Sequence, residues 1–299
     1  MLEREEKGLA YRVDNAIIMA AGTSSRFAPL SYETPKALIT VKGEVLLERQ
    51  IRQLREAGVP EIIVVVGYMK ERFSYLEDKM GIRLVENREF RVRNNHSSIW
   101  AVREYLGNSY ICSADNYFTQ NPFEKEVEDA YYAAVYSEGE TKEWCMEAGS
   151  DGYVEHVRIG GADAWYMLGH AFWNEEFSRR FLQILGDEYD LPGTAGLLWE
   201  AIYKDHLDEL KLKIRKYDAD FIFEFDSLDE LREFDRSYVE DTRSGILKSI
   251  APDLRCSEGE IRNIHEVKDE AGVQAVGFRF TCRDAEYEYN YERKGWWKI

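Results

Sequence analysis

Residues 19–38 read Met-Ala-Ala-Gly-Thr-Ser-Ser-Arg-Phe-Ala-Pro-Leu-Ser-Tyr-Glu-Thr-Pro-Lys-Ala-Leu. Two cations, Arg26 and Lys36, stand behind a run of small side chains. Small residues from Ala20, Ala21 and Gly22 through Thr23, Ser24 and Ser25 let backbone N–H groups approach phosphate oxygens closely, and a following helix N-terminus adds a positive dipole end. Arg26 offers a rigid fork and Lys36 a mobile point charge. That pair suits a polyphosphate whose charge shifts during reaction, so the pattern predicts a nucleotide site for phosphoryl or nucleotidyl transfer. No Gly-Lys-Ser/Thr follows, which excludes a Walker loop, and the dinucleotide fingerprint G-x-G-x-x-G is absent.

A second chemical position is Asp115, directly behind the apolar run Ser109–Ser113. A carboxylate at a strand end is a hard oxygen ligand suited to Mg²⁺, which keeps waters and substrate phosphates around it. The plainer reading of the same residue is a turn aspartate that caps the next segment. Asp226, behind the stretch Phe221–Glu224, reads from its neighbours as a helix N-cap, since a helix pattern begins near Ser227 with Asp229 and Glu230 in its first turn.

The elements that must position these groups alternate through the first half of the chain. Ala16–Met19 reads as a buried strand, Val45–Ala57 as an amphipathic helix with Leu46, Leu47, Ile51 and Leu54 on one side, and Ile62–Val66 as a strand covered on both faces. Helices are expected over Lys70–Met80 and Ser97–Tyr105, and strands over Arg83–Glu86 and Ser109–Ser113. The alternation predicts right-handed crossovers and a mixed, mainly parallel sheet flanked by helices, Rossmann-like in class. Sites in such sheets lie beyond the carboxyl ends of the strands, where the small-residue turn and Asp115 both fall. From Ala130 to Ala171 the pattern shifts to four short aromatic-rich strands, Tyr131–Tyr136, Trp144–Glu147, Tyr153–Ile159 and Trp165–Phe172. Helices follow over Glu175–Leu185 and Thr194–Lys204, then strands over Lys211–Ile214 and Phe221–Glu224. The apolar pattern lapses at Asp235–Ser244. Beyond it lie a helix, Gly245–Ile250, and a hairpin of Gly277–Cys282 and Tyr287–Tyr291 with residues 283–286 at its tip. The expected organisation is an N-terminal tail (1–13), a catalytic domain (14–238) and a small α+β C-terminal subdomain (239–299).

Composition narrows the partners. The formal net charge of −17 argues against nucleic acid or an anionic membrane as a general partner, so anionic substrates need a local cationic site. Cys112, Cys145, Cys256 and Cys282 show neither paired nor metal-ligand spacing, which suits a reducing cytoplasm. No apolar run approaches the ~20 residues of a membrane span. The chain carries 7 Trp and 19 Tyr, and aromatic faces bind quaternary ammonium groups at about 0.5–2 kcal/mol each.

A-A-G-x-x-S-R with P-K downstream resembles the signature of nucleotidyltransferases that join a nucleoside triphosphate to a phosphorylated small molecule. The fuller resemblance is to CTP:phosphocholine cytidylyltransferases of the bacterial choline-incorporation type. It runs through residues 61–68, Asn94-Asn95, residues 114–117, Glu143-Trp144 and residues 224–227, and covers about 15–234. It implies the nucleotidyltransferase fold and an in-line attack by the acceptor's phosphate on the α-phosphorus of CTP, with Mg²⁺ as cofactor. It also implies roles. Arg26 would neutralise the leaving phosphates and Lys36 would bridge the α-phosphate and the incoming phosphate. Residues 20–25 would hold the triphosphate, Asn95 and Ser98 the cytidine side, and Asp115 with Asp226 the metal. Tyr117, Trp144, Trp199, Glu200 and Glu224 would line the acceptor's amino end.

Two positions depart from the pattern. Ser24 stands where the family usually has glycine, and serine fits best if the backbone there avoids positive φ. Leu198 stands where an aromatic is usual, which leaves phosphoethanolamine and 2-aminoethylphosphonate open as acceptors. A sugar-1-phosphate nucleotidyltransferase and a non-catalytic nucleotide-binding regulator are the other readings, and an oligomer is compatible with all of them. The tail resembles the start of a choline-kinase-like lobe without its catalytic loop, so it is expected to be an accessory subdomain.

Overall fold

Ile63, Val64 and Val65 have no solvent exposure, because the β-branched run Glu61–Val66 is a strand covered on both faces. It belongs to a computed structural model that describes residues 10–270, 272 and 274–299; residues 1–9 of the expected N-terminal tail lie outside them. The chain divides into two compact units. One contains the chain up to Gly22 together with Leu47–Glu224, the other Thr23–Leu46 together with Phe225–Ile299.

The larger unit is built on a seven-stranded sheet. Its strands are β1 (Asn15–Ala20), β2 (Glu61–Val66), β3 (Arg83–Glu86), β4 (Ser109–Ser113), β5 (Tyr131–Ala148), β6 (Val154–Trp173) and β7 (Lys213–Tyr217), in the order β7-β5-β6-β4-β1-β2-β3. The pairs β1–β2, β1–β4, β2–β3 and β5–β7 are parallel; β5–β6 and β6–β4 are antiparallel. The sheet is therefore mixed and mainly parallel, as expected. Helix α2 (Leu46–Glu56) buries Leu47, Ile51 and Leu54. Helix α5 (Glu175–Glu188) is capped by Asn174 Oδ1, which accepts from Phe177 N at 2.8 Å, and lays Phe177, Phe181 and Leu185 against Trp173, Trp199 and Tyr203.

The four short strands expected between Tyr131 and Phe172 are two long ones. Gly139 and Gly160, at φ 78° each, and Asp163, at φ 50°, lie where the β5–β6 register shifts, so the polar breaks bend the ladder rather than end it. Three of the expected helices also break into shorter pieces. The first gives a 3₁₀ turn, Lys70–Phe73, and α3 (Tyr75–Met80); the second gives α4 (His96–Ala101) and a 3₁₀ turn, Arg103–Tyr105; the third gives a 3₁₀ turn, Thr194–Gly196, and α6 (Trp199–Asp205).

In the smaller unit, α7 (Leu228–Phe234), α8 (Ser237–Glu240) and α9 (Gly245–Asp253) precede an antiparallel four-stranded sheet of β8 (Ile261–Lys268), β9 (Ala275–Cys282), β10 (Ala285–Asn290) and β11 (Gly295–Lys298). The predicted hairpin is its centre; β8 and β11 extend it on both sides. Arg232, with 1% exposure, ties the unit together. Its guanidinium donates to the carbonyls of Tyr238, Glu258 and Ile261 and to Asp229 Oδ1. Segment 23–46 belongs to the same unit, with Phe27, Leu30, Ile39 and Val41 buried.

Candidate active site

In the smaller unit the small-residue run ends in a tight turn. Ser24 adopts φ 48° and ψ 43°, and Ser25–Phe27 forms a 3₁₀ turn whose Phe27 N–H donates to Ser24 O at 2.9 Å. The backbone does enter the left-handed region at Ser24, so the usual glycine is replaced there at a cost of about 1–2 kcal/mol. Arg26 is largely exposed and pairs with Asp226 through Nη1 and Oδ2. The Lys36 side chain is 4% exposed, with Nζ 3.9 Å from Asp226 Oδ1 and 5.6 Å from the centre of the Phe27 ring. Arg26, Lys36 and Asp226 are thus brought together. The helix behind Asp226 is capped by Ser227, whose Oγ accepts from Glu230 N at 3.2 Å, so the capping reading of Asp226 does not hold. The Asp226 N–H donates instead to Glu230 Oε2 at 2.8 Å.

The larger unit carries the remaining candidates. Strand β1 delivers Ala20 and the buried Ala21, whose carbonyl accepts from Tyr68 N at 3.0 Å. Gly67 makes that approach feasible, since a Cβ there would lie 2.9 Å from the Ala21 carbonyl oxygen. A Cβ built at Gly22 meets nothing within 4 Å, which leaves open space beside the turn. Met19 of β1 is in register with Ser113 of β4, and Ala114 N donates to Met19 O at 3.2 Å. Asp115 therefore follows β4 next to the end of β1, on the edge where the parallel strands finish.

Asn95, Glu200 and Trp199 meet across the unit. Asn95 Nδ2 donates to Glu200 Oε2 at 3.1 Å, and Asn95 Oδ1 accepts from Trp199 N at 2.7 Å. Tyr132 Oη donates to Glu200 Oε1 at 3.0 Å. Burial holds the Glu200 carboxyl above the usual carboxylate range, against the pull of these donors. Burial also raises the Tyr132 hydroxyl well above its ordinary value, with Glu200 and then Glu224 adding to the effect. Tyr166 is raised by burial and by Glu143 and Glu224. Glu200 and Glu224 thus act on Tyr132, and Glu143 and Glu224 on Tyr166, a cluster of carboxylates and tyrosines (the cup). Glu224 Oε2 also lies 3.5 Å from Asn116 Nδ2, and the buried Asn116 Oδ1 has no hydrogen-bond partner.

The other predicted residues are placed differently. Trp199 is 1% exposed; it stacks on Tyr132 at 5.4 Å and 14° and meets Trp173 edge-on, so it backs the cup from the core. Ser98 is buried and accepts from Asn87 Nδ2 at 3.1 Å. Tyr117 lies under the Arg49 guanidinium, 4.5 Å from its ring centre. Trp144, on β5, is half-buried against the core, opposite Ile159. Sequence reasoning missed Tyr132 and Tyr166, which no local spacing marks. Glu143 was within reach through its place beside Trp144. A cavity of about 630 Å³ in the same unit, lined by Tyr11, Asp129, Tyr153, Arg180 and Glu209 among others, includes none of the candidate residues.

Among the described residues no three His, Cys, Asp or Glu side chains are grouped to hold a metal. Asp115 and Asp226 each offer carboxylate oxygens, the hard donors that Mg²⁺ takes alongside phosphate and water.

Residues 16–146 match the model of the MobA-like NTP transferase domain. The chain is 35% identical over 220 residues to a choline-phosphate cytidylyltransferase of Streptococcus pneumoniae, across 74% of this chain and 96% of that protein. It is 38% identical over 237 residues to a 2-aminoethylphosphonate cytidylyltransferase of Lancefieldella rimae, across 78% and 96%. The solved structure of CTP:phosphocholine cytidylyltransferase from S. pneumoniae superposes with a TM-score of 0.72 at 35% identity, covering 76% of this chain and 99% of that one. About a quarter of this chain therefore has no counterpart in that structure.

Proposed function

Because this chain belongs to the cytidylyltransferase family of those relatives, within the NTP transferases, we propose that it transfers CMP from CTP to phosphocholine, giving CDP-choline and pyrophosphate. What supports the acceptor half of this reading is the cluster of Glu200 and Glu224 with Tyr132 and Tyr166, carboxylates and aromatic rings of the kind that suit a cationic head group.

A phosphate oxygen of the acceptor forms a bond to the α-phosphorus of CTP, and the bond from that phosphorus to the bridging oxygen of the β-phosphate breaks. Pyrophosphate leaves with the electron pair. The acceptor phosphate is already an anion at neutral pH, so no residue has to remove a proton. The protein's task is alignment and charge stabilisation. Arg26, paired with Asp226 in this structure, would neutralise the leaving phosphates, and Lys36 would bridge the α-phosphate and the incoming phosphate. Residues 20–25 supply backbone donors, and Asn95 serves the cytidine side. Asp115 and Asp226 would hold Mg²⁺, which supplies positive charge against the triphosphate. The free thiols of all four cysteines suit the reducing cytoplasm, where CTP is made.

A second reading has its own support. The relative at 38% identity is named for 2-aminoethylphosphonate, and Leu198 removes an aromatic face that a trimethylammonium group would use. A primary ammonium wants directed bonds to carboxylates, which Glu200 and Glu224 could supply. Competition of phosphocholine, phosphoethanolamine and 2-aminoethylphosphonate at limiting CTP, read as kcat/KM, tests the proposal. Phosphocholine should be used fastest; a tenfold preference for the phosphonate would replace the first reading by the second.

A further inference from the structure

Glu33 lies between Arg26 and Lys36 in sequence, at the end of the short helix α1 (Leu30–Glu33), and its carboxylate is fully engaged with the C-terminal part of the chain. It accepts from Ser244 Oγ at 2.5 Å and from Ile246 N at 3.2 Å, at the first turn of α9. A Cβ at Gly245 would come to 3.1 Å from Glu33 Oε1, a tight contact that the carboxylate would have to yield to. Next to it, Tyr32 is 44% exposed, yet its ring lies flat on Tyr291, 3.7 Å between centres and 1° between planes. Farther along, the Thr40 carbonyl accepts from Tyr238 Oη at 2.6 Å and from Arg243. The Lys42 N–H donates to Asp235 Oδ2 at 2.7 Å. At the other end of the segment, β8 runs beside the Ser25–Phe27 turn that presents Arg26.

The segment that carries both cations is therefore gripped before, between and after them by residues 235–299. Side chains that bind main-chain groups fix the backbone, and displacing a charged group by about 1 Å can cost roughly 100-fold in rate. We propose that residues 235–299 brace the segment 23–46, with Glu33 and Tyr32 as the positioning residues that fix Arg26 and Lys36 for the triphosphate. This rests on the reading of those two cations given above. It makes the tail a working part of the phosphate grip rather than an appendage.

Full-length variants test it, with pyrophosphate release measured against CTP and against acceptor. Tyr32→Phe keeps the ring stack and should match wild type. Tyr32→Leu and Glu33→Ala should each lower kcat/KM for CTP about tenfold or more, with KM for the acceptor unchanged and the thermal midpoint within a few degrees of wild type. Lys36→Ala is measured alongside. If Lys36→Ala is crippled while Tyr32→Leu keeps its kcat/KM for CTP, the brace is overturned and the cation reading stands. If Lys36→Ala is itself unimpaired, both fall. Equal losses toward CTP and acceptor with a lowered midpoint would mean a general structural role and would also overturn the brace. Should Glu33→Ala fail to fold, Tyr32→Leu decides, because it alters a half-exposed ring.

Discussion

Segment 23–46 and the acidic cup hold their charges with opposite kinds of partner. Arg26 and Lys36 are cations resting on the carboxylate of Asp226. Glu200 is a carboxylate resting on neutral donors, Asn95 Nδ2 and Tyr132 Oη, and Glu224 has Asn116 Nδ2 within reach. The first arrangement is an ion pair that an incoming phosphate can exchange, one anion for another, at little electrostatic cost. The second keeps its net negative charge, because neutral partners orient a carboxylate without cancelling it.

The largest test of this contrast removes a cation. Lys36→Ala should lower kcat by about 10²–10³, the loss typical of a deleted transition-state contact, with the fold intact by circular dichroism. Turnover equal to wild type would end the assignment. Next in size, chelation should abolish turnover, and Asp115→Asn should raise the Mg²⁺ concentration for half-maximal rate by roughly tenfold or more, an amide being a weaker ligand than a carboxylate. An unchanged metal titration would remove Asp115 from the site.

Glu200→Gln sharpens the other half. KM for the acceptor should rise about tenfold, near 1.4 kcal/mol, with KM for CTP unchanged. The carboxyl of Glu200 is raised above its ordinary 4.5, so the cup loses charge as pH falls through that raised value. Acceptor KM should climb on the acid side in wild type and stay flat in the variant. The linkage to stability has the opposite sense. A raised carboxyl binds its proton more tightly folded than unfolded, so its stabilisation is full below the unfolded value and is lost as pH rises through the folded one. The smallest expected effect is that of Ser24→Gly. Relief of the left-handed strain is partly offset by glycine's greater freedom in the unfolded chain, leaving a gain of about 1 kcal/mol or less. Thermal denaturation should show a midpoint no lower than wild type.

Much of the larger unit was legible because short strand patterns alternate there with helix-period segments. Arg83–Glu86 and Ser109–Ser113 were read to the residue, and Glu61–Val66 to within one. The β5–β6 hairpin was not, since glycine and charge inside a strand look like a turn until a partner strand accommodates the bulge. Strand β8 was missed because Asn263, at φ 51°, interrupts its alternation, and β11 because four residues carry no period. In the candidate site, residue type and spacing singled out Arg26 and Lys36, and the family resemblance added Asp115, Asp226, Glu200 and Glu224. Tyr132 and Tyr166 were not singled out, because both lie on the long β5–β6 hairpin, whose register has no local signature.

Arg232 has a consequence for how the smaller unit opens. Its buried guanidinium holds three carbonyls spread from Tyr238 to Ile261, together with Asp229. Fraying any one of those stretches would leave a buried charge short of an acceptor, which costs several kcal/mol. Helix α7, the Glu258 turn and the start of β8 should therefore open together, and hydrogen exchange is expected to show their amide protons as a single cooperative group.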